Sequence, residues 1–260
     1  MKMTKNTILI TGGTSGIGFE LAKQLSALGN TIIVTGRDSV RLEKTKKLLP
    51  NVHTFQSDVS DLKSIKNLYS EVVKKFPELN ILINNAGIMK TINLHETGST
   101  ELLTEEIEIN LNGPIRMVQT FLPQLKIVPT AAIMNVSSGL AFVPLPTSPV
   151  YCATKAALHS YTLSLRVQLK NTSIKVFELA PPATATELLR DSMDSEDMKG
   201  ISVMSVDQMV KVAVLGLQND QLEIRPGQSN QLKFMNRIAP QFILNQLSRP
   251  VDRMLANKST

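Results

Sequence analysis

A glycine-rich segment directly after the first apolar run places the strongest constraint on how this chain can fold. Residues 11–18 read TGGTSGIG, with an apolar run at 7–11 before them and an amphipathic segment at 17–28 after them. Glycine allows a tight turn and a close approach of the backbone to phosphate groups, and a following helix supplies unpaired N–H groups at its N-terminus. The segment therefore predicts a βα unit that binds the diphosphate of a dinucleotide, and a glycine-rich surface turn is the alternative. The predicted contact residues are Gly12, Thr14, Ser15, Gly16, Ile17 and Gly18.

Apolar runs rich in Ile and Val alternate with longer amphipathic segments, which predicts strands that alternate with helices. The predicted strands cover residues 7–11, 31–35, 52–56, 81–84, 131–136, 174–179 and 222–225. The predicted helices cover residues 17–28, 40–48, 62–76, 101–125, 149–169 and 206–217. Because each crossover helix must lie against the sheet, this order predicts an α/β fold, a Rossmann-type doubly wound parallel sheet of about seven strands with helices on both faces. Ligands of such sheets bind beyond the carboxyl ends of the strands.

The length of 260 residues suits one large domain. We expect a single dinucleotide-binding domain over residues 1–260, in which 187–204 form a substrate lid and 225–260 a basic C-terminal extension. The extension holds six basic residues against one acidic residue. Since these charges are scattered among apolar residues, they indicate a solvated face, and no nucleic-acid partner is expected. Peripheral contact with an anionic membrane is the less favoured alternative.

Three features of the sequence favour a cytoplasmic location. The apolar run near the N-terminus is too short for the core of an export signal. No stretch approaches the roughly 20 uninterrupted apolar residues that a membrane-spanning helix requires. The only cysteine, Cys152, has no partner for an intrachain disulfide.

The residues that end the second predicted strand bear on the choice of nicotinamide cofactor. An NAD site usually places a carboxylate about 20 residues beyond the glycines, where it bonds the adenine ribose. This chain has Gly36 followed by Arg37, whose guanidinium can pair with the 2′-phosphate of NADP. The alternative is that Arg37 is a solvated charge and that Asp38 caps the next helix. NADP(H) is therefore the preferred cofactor, and NAD(H) is the alternative.

Two further strand ends carry candidate cofactor contacts. Asp58 and Val59 follow the third predicted strand, where they can meet the adenine edge, although Asp58 would equally suit a helix cap. Asn85, Ala86 and Gly87 close the fourth strand, and small or amide side chains there leave room for a cofactor. Either segment alone would also pass for a turn.

A tyrosine and a lysine four residues apart lie at the start of the helix predicted at 149–169. This spacing places Tyr151 and Lys155 on one helix face, so that the ammonium group can favour the ionised phenol. A free tyrosine, with a pKa of about 10, is a poor base at neutral pH, and a nearby cation improves it. A packed ring beside a solvated amine is the alternative. The pattern indicates acid–base chemistry by the phenol and requires no metal.

Four motifs in sequence order resemble those of the classical short-chain dehydrogenase/reductase family over nearly the whole chain. They are TGxxxGxG after the first strand, NNAG after the fourth, NxSS after the fifth and YxxxK on the next helix. The resemblance implies an NAD(P)-dependent enzyme that acts on CH–OH or C=O groups. It implies that Tyr151 is the acid/base and that Lys155 bonds the nicotinamide ribose and lowers the tyrosine pKa. It further implies that Ser138 orients the substrate oxygen and that Asn110 holds a water relay.

Two members of this implied tetrad have competing neighbours. Ser137 ends the same strand as Ser138, and the family's spacing to the tyrosine favours the second serine. Asn112 lies close to Asn110, and the glycine that follows aligns the family's asparagine with Asn110.

The segment after the sixth strand departs from the family's PGxxxT motif. Residues 181–186 read PPATAT, so Pro182 stands in place of glycine, stiffens φ and removes one N–H donor. The resemblance still implies cofactor contacts from Pro181, Thr184 and Thr186. Within the family, this segment and the later EIRPG stretch are most similar to bacterial oxidoreductases of the DltE type, a similarity that supplies no substrate.

The expected substrate walls are Ile88, Met89, the loop 139–150 and the lid 187–204. Their residues are mostly apolar, which favours an apolar carbonyl or alcohol as substrate.

Two predicted helices, 101–125 and 149–169, carry more apolar residues than one sheet-facing stripe needs. This surplus predicts a homodimer or homotetramer, unless C-terminal segments cover it.

A protein of another class remains as the rival, a catalytically silent NADP-binding regulator that senses redox state. It would keep the glycine loop without any need for the reactive tetrad, whose presence favours the enzyme.

Overall fold

The computed structural model describes residues 1–96, 99–192 and 202–256 of the chain. Its strands are β1 (Thr7–Thr11), β2 (Thr31–Gly36), β3 (Val52–Gln56), β4 (Leu79–Asn84), β5 (Ala131–Val136), β6 (Ile174–Leu179) and β7 (Glu223–Ile224). They form one parallel sheet in the order β3-β2-β1-β4-β5-β6-β7. The predicted doubly wound α/β fold is confirmed. The order reverses between β1 and β4, which is where ligands of such sheets bind.

Helices cover both faces of this sheet. They are α1 (Gly16–Ala27), α2 (Ser39–Leu48), α3 (Leu62–Lys75), α4 (Thr100–Ile107), α5 (Gly113–Ile127), α6 (Pro149–Gln168), α7 (Glu187–Ser192), α8 (Val206–Gln218), α9 (Gln228–Ile238) and α10 (Pro240–Ala256). On β1, Ile8 and Ile10 join the apolar cluster under α1 and α8. Leu9, which points the other way, joins the cluster under α3, α5 and α6. The continuous apolar strands therefore follow from burial on both faces.

The single helix predicted at 101–125 is interrupted in the structure by a π-helical turn, Glu108–Asn112. Pro114 has no N–H, so it cannot donate to the carbonyl of Asn110 as a regular α-helix requires. The turn widens, and the N–H of Gly113 bonds the carbonyl of Glu108, five residues earlier. Asn110 lies on this widened turn.

The predicted C-terminal extension forms α9 and α10, which fold back over the carboxyl ends of the strands. Ile243 of α10 is buried, and Leu247 packs against Leu145, Tyr151 and Cys152. Charges among apolar residues here belong to amphipathic helices, with one side on the protein and one side in solvent.

Part of the predicted lid 187–204 is described. Its first residues form α7, and Met204 forms a β-bridge with Thr184. Residues 193–201 lie outside the described residues. Within the described parts of the chain, no helix is both long and apolar enough to cross a membrane.

Candidate active site

The glycine-rich loop between β1 and α1 packs so closely that side chains are excluded. Gly12 and Gly16 have φ angles of +63° and +51°, which side chains rarely allow. A Cβ at Gly12 would lie 2.8 Å from the Cα of Ala86, and one at Gly18 would lie 2.4 Å from the carbonyl oxygen of Gly12. Gly12 and Gly16 line a cavity at the N-terminus of α1, where backbone N–H groups can meet a diphosphate.

Thr11 and Asn85 fasten this loop to the end of β4. The hydroxyl of Thr11 accepts hydrogen bonds from the N–H groups of Asn85 (3.0 Å) and Ala86 (3.1 Å). The side-chain amide of Asn85 donates to the carbonyls of Thr11 and Gly12, both at 3.0 Å. Asn85 thus shapes the loop as well as lining the cavity. Thr11 was missed by the sequence analysis, although its place before the first glycine was a signal.

The end of the cavity beside β2 and β3 is built from charged side chains. Arg37 is 54% exposed, and its guanidinium lies 3.8 Å from a carboxylate oxygen of Glu105. Asp38 caps α2 by accepting from the N–H of Val40 at 2.8 Å. Arg41, which sequence analysis missed, also lines the cavity and pairs with a neighbouring carboxylate at 2.9 Å. This end offers two arginines to an anion.

Asp58 has a local role in addition to its place in the cavity wall. One of its carboxylate oxygens accepts from the N–H (2.8 Å) and the hydroxyl (2.7 Å) of Ser60. The cap of α3 is Asp61, which accepts from the N–H of Lys63. The helix-cap alternative for Asp58 is therefore not what the structure contains.

The sheet and α6 bring the predicted catalytic side chains together. Tyr151, Lys155 and Ser138 are buried and line the same cavity. The Nζ of Lys155 donates to the carbonyl of Val136 at 2.9 Å and lies 5.6 Å from the centroid of the Tyr151 ring. The Ser138 hydroxyl accepts from the N–H of Leu140 at 3.1 Å and is near enough to Tyr151 to lower the pKa of the phenol.

Asn110 lies behind these residues and does not line the cavity. Its side-chain oxygen accepts from the N–H of Ile88 at 2.9 Å, and its amide donates to the carbonyl of Ile88 at 2.8 Å. The amide also contacts the hydroxyl of Thr154 at 3.2 Å. Asn110 thereby holds the chain after β4 against α6.

The two serines after β5 point to different surroundings. Ser137 donates to the buried carboxylate of Glu178 at 2.5 Å, and the other oxygen of Glu178 lies 2.7 Å from Nδ1 of His159. Ser138 is the serine that the structure places beside Tyr151. Ser137 is thus engaged by Glu178, although both serines line the cavity.

Burial sets the pKa of the reactive pair. Desolvation raises the pKa of Tyr151 to about 12, and the hydrogen bond with Ser138 opposes this increase. Desolvation lowers the pKa of Lys155 to about 8, and the charge of Glu106 opposes this decrease. The direction for the phenol is opposite to the one that the Tyr–Lys spacing predicts, because both groups are removed from water.

A cavity of about 1020 Å³ runs from the glycine loop along the strand ends to the C-terminal helices. All the predicted cofactor residues line it except Gly18, which lies beneath the loop. Helices α9 and α10 supply part of the wall that no motif predicted, namely Gln228, Gln231, Leu232, Met235, Ile243, Gln246, Leu247, Arg249 and Pro250. The C-terminal helices therefore form one wall of the cavity beyond the catalytic residues.

A group of possible metal ligands lies next to this cavity. Within the described residues, ligand atoms of His159, Glu178 and Glu223 lie within 4.8 Å of one another. The ammonium of Lys233 lies 2.5 Å from Glu223, and the oxygens of Glu178 already bond Ser137 and His159. Lys233 already supplies a positive charge beside Glu223, so the cluster forms an ion-pair network.

The comparisons with known proteins place this chain among oxidoreductases. The model of the family described as short chain dehydrogenase matches residues 6–197. The chain is similar to the oxidoreductase DltE of Bacillus subtilis, with 48% identity over 226 residues that cover 86% of this chain and 89% of the relative. It is also similar to the NADP-dependent 3-hydroxy acid dehydrogenase YdfG of Salmonella typhi, with 31% identity over 67% of this chain and 71% of the relative. The predicted resemblance to the DltE type is confirmed.

Solved structures agree in fold and differ in cofactor. A short-chain dehydrogenase from Sphingobium yanoikuyae in complex with NADPH has a TM-score of 0.76 and 28% identity, covering 84% of this chain and 87% of that one. A short chain dehydrogenase/reductase from Burkholderia phymatum in complex with NAD has a TM-score of 0.82 and 20% identity, covering 91% and 95%. The glycine loop, the buried Tyr151–Lys155 pair and these matches lead to one assignment. This chain belongs to the short-chain dehydrogenase family and is an NAD(P)-dependent oxidoreductase.

Proposed function

We propose that this enzyme prefers NADP(H) and transfers a hydride between the nicotinamide and a carbonyl or alcohol group, with Tyr151 as general acid/base. The observation that carries the proposal is the convergence of Tyr151, Lys155 and Ser138, all buried, on the cavity that begins at the glycine loop. A phenol, a cation and a hydroxyl in one cleft are the groups that proton transfer to a substrate oxygen requires.

The residues that would hold the cofactor follow the strand ends. The glycine loop would bind the diphosphate, and Arg37 would pair with the 2′-phosphate. Asp58 and Val59 would contact the adenine, and Lys155 would bond the nicotinamide ribose. Further contacts come from Asn85, Ala86, Gly87, Tyr151, Pro181, Thr184 and Thr186. When bound, the nicotinamide supplies or accepts the hydride.

Proton transfer is assigned to side chains of this protein. In reduction, the phenol of Tyr151 donates its proton to the substrate oxygen, and in oxidation it takes that proton back. Ser138 donates a hydrogen bond to the same oxygen. Because burial raises the pKa of Tyr151 to about 12, the phenol stays protonated at neutral pH, which suits the acid in reduction. Asn110 is a positioning residue, since it contacts Ile88 and Thr154 rather than the cavity.

The substrate is proposed to be an apolar carbonyl compound or alcohol. Apolar side chains from several elements line the cavity near Tyr151, among them Met89, Leu140, Leu145, Leu189, Leu232 and Leu247. Removal of apolar surface from water would be the main source of substrate affinity. Incubation with NADPH and a panel of aldehydes, ketones and quinones, followed by nicotinamide absorbance, tests this assignment. The assignment would be contradicted if no compound of the panel caused oxidation of NADPH.

The single cysteine, buried and unpaired, supports a cytoplasmic location.

Wild-type protein is expected to bind NADPH about tenfold more tightly than NADH, or better. The ribose phosphate brings nearly two negative charges, and it would meet Arg37 with no carboxylate at Gly36. A hydrogen bond to a charged group contributes about 1.5–3 kcal/mol, and solvent screening at a half-exposed arginine keeps the effect near the lower figure. Fluorescence titration of both cofactors measures the ratio.

The double change Gly36→Asp with Arg37→Ile is expected to reverse this preference. A carboxylate at position 36 suits the free 2′-hydroxyl of NAD. The new Cβ would lie 3.1 Å from Thr14 Cγ2, so the Thr14 side chain must move by a few tenths of an ångström. Arg237→Gln, which removes an exposed arginine that does not line the cavity, is the control. Equal affinities of wild-type protein for NADPH and NADH would remove Arg37 from the proposal.

Assembly into a homodimer or homotetramer is also expected, through α6. Many apolar residues of α5 and α6 are buried within the subunit, including Met117, Phe121 and Leu158. Leu163 and Val167 of α6 stay exposed, at 40% and 65%, on one face with Ala156 and Ser160. Burying this face in a second copy would remove it from water. Light scattering at micromolar concentration is expected to give at least a dimer.

The pair Leu163→Glu and Val167→Lys is expected to weaken this association. Leu215→Glu on α8, where the replaced residue is 55% exposed, is the control. A monomeric wild-type protein, or a control as disruptive as the α6 pair, would contradict an interface on α6.

A further inference from the structure

Glu106 is a buried acidic residue of α4 that the proposed chemistry does not use. Its side chain is 0% exposed. One carboxylate oxygen accepts from the backbone N–H of Lys90 at 3.0 Å. The other is buried with no hydrogen-bond partner among the described residues. A buried carboxylate with an unpaired oxygen is costly, so some other interaction must compensate.

The surroundings of Glu106 point to α6. Helix α4 packs against α6, and Asn110, one turn after Glu106, lies close to Gly87 together with Lys155. A Cβ on Gly87 would lie 3.1 Å from the Asn110 side-chain oxygen and 3.5 Å from Nζ of Lys155. The π-helical turn that continues α4 therefore lies close to the ammonium group of the catalytic pair.

Lys155 in turn has little to balance its charge. It is buried, and Tyr151 and Cys152, about one turn earlier on α6, are neutral at pH 7 because burial raises the pKa of both. Its ammonium donates to the carbonyl of Val136, which carries no net charge. The charge of Glu106, on the helix that packs against α6, opposes the lowering of the Lys155 pKa.

We propose that Glu106 is the buried counter-charge of Lys155, a positioning residue that keeps this ammonium charged at neutral pH. The proposal rests on the role given to Lys155 above. It also accounts for the unpaired oxygen, because attraction between opposite buried charges offsets the loss of hydration.

The other charged groups around Glu106 determine its own state. Burial raises its pKa, whereas the N–H and the ammonium of Lys90 and the charge of Lys155 lower it, and Glu105 raises it. Tyr151 and Cys152 face it from α6, and its charge raises the pKa of both. The pKa of Glu106 is raised overall, and the two cations and the backbone N–H limit this increase.

The sign of the expected pH effect follows from these directions. The pKa of Lys155, lowered by burial to about 8, is held up by Glu106. Loss of the carboxylate lowers it further, so the ammonium is lost at a lower pH. The phenol of Tyr151, with a pKa of about 12, titrates far above this range. A decline in activity near pH 8 therefore reports Lys155.

Glu106→Gln is the sharpest test, because it removes the charge and keeps an acceptor for the N–H of Lys90. The descending limb of kcat/KM against pH is expected to move to lower pH by about one unit or more. NADPH affinity at pH 8 is expected to fall about tenfold relative to that at pH 6. Glu101→Gln, the same charge change at an exposed site of α4, is expected to leave both profiles unchanged.

Three further measurements keep the proposal open to contradiction. Glu106→Asp, which keeps the charge, is expected to restore most of the wild-type profile. Thermal unfolding checks that each variant is folded. NMR titration of isotope-labelled lysine, assigned with Lys155→Met, follows the ammonium without turnover and therefore remains informative in either variant.

The outcomes separate this inference from the proposed function. An unchanged Lys155 titration in folded Glu106→Gln would overturn the counter-charge. A shifted titration without a shift in the kcat/KM limb would support the counter-charge and overturn the proposed role of Lys155 in turnover.

Discussion

Tyr151→Phe is expected to lower kcat by about 100- to 10,000-fold, the usual contribution of general acid–base catalysis. The change deletes the proton donor and leaves the ring, which packs with Leu145, Cys152 and Leu247. The fold should therefore persist. NADPH affinity should stay near the wild-type value, because Lys155 and the glycine loop are unaltered. Steady-state rates, with NADPH titration on the same preparation, measure both effects.

Tyr161→Phe is the matched control for this substitution. Tyr161 lies on the same helix, ten residues later, is partly buried against the core and does not line the cavity. Loss of its hydroxyl should leave turnover unchanged. A Tyr151→Phe protein that keeps more than about a tenth of the wild-type rate would remove Tyr151 from the role of acid.

The parts of the site that sequence could predict are those with local causes. Gly12 and Gly18 have no space for a Cβ, and a four-residue spacing puts Tyr151 and Lys155 on one helix face whatever surrounds them. Strand ends were predictable for the same reason, since each buried strand is a continuous apolar run. The parallel sheet then brings those ends to one edge.

The parts that could not be predicted depend on contacts between distant segments. Leu247 and Tyr151 are almost a hundred residues apart, and no motif marks the helices that close the cavity. Apolar periodicity over 101–125 concealed the π-helical turn, although the Gly113-Pro114 pair was a signal for it. The sequence does not distinguish Glu106 from the other acidic residues of its helix, because only tertiary packing shows that it is buried.

The pKa of Tyr151 illustrates the limit most directly. A spacing rule predicts the effect of one neighbour, and here that neighbour would lower the pKa. Desolvation depends on every element that covers the phenol, and in the structure it raises the pKa of Tyr151 to about 12. A bound cofactor and substrate would change this balance, so the phenol pKa belongs to the complex as much as to the chain.

Lys155→Met is expected to impair both turnover and cofactor binding, which distinguishes it from Tyr151→Phe. Methionine keeps an unbranched apolar stem of similar length and removes the ammonium. The rate should fall about 100-fold or more, because the cation no longer assists proton transfer. NADPH affinity should fall about tenfold or more, the effect of losing one charge-assisted hydrogen bond to the ribose.

The stability of Lys155→Met should change far less than its activity. A buried ammonium that donates to one neutral carbonyl gains little from that bond, and its replacement by a thioether removes a desolvated charge. The carboxyl group of Glu106 then loses a cation that lowers its pKa, so it takes up a proton more readily. Thermal unfolding is therefore expected to show a melting temperature at or near the wild-type value, which excludes misfolding as the cause of lost activity.

Lys126→Met, at an exposed position near the end of α5, is the control for loss of a lysine charge. Unaltered NADPH affinity with a large loss of rate would argue against the ribose contact and leave Lys155 with an electrostatic role alone.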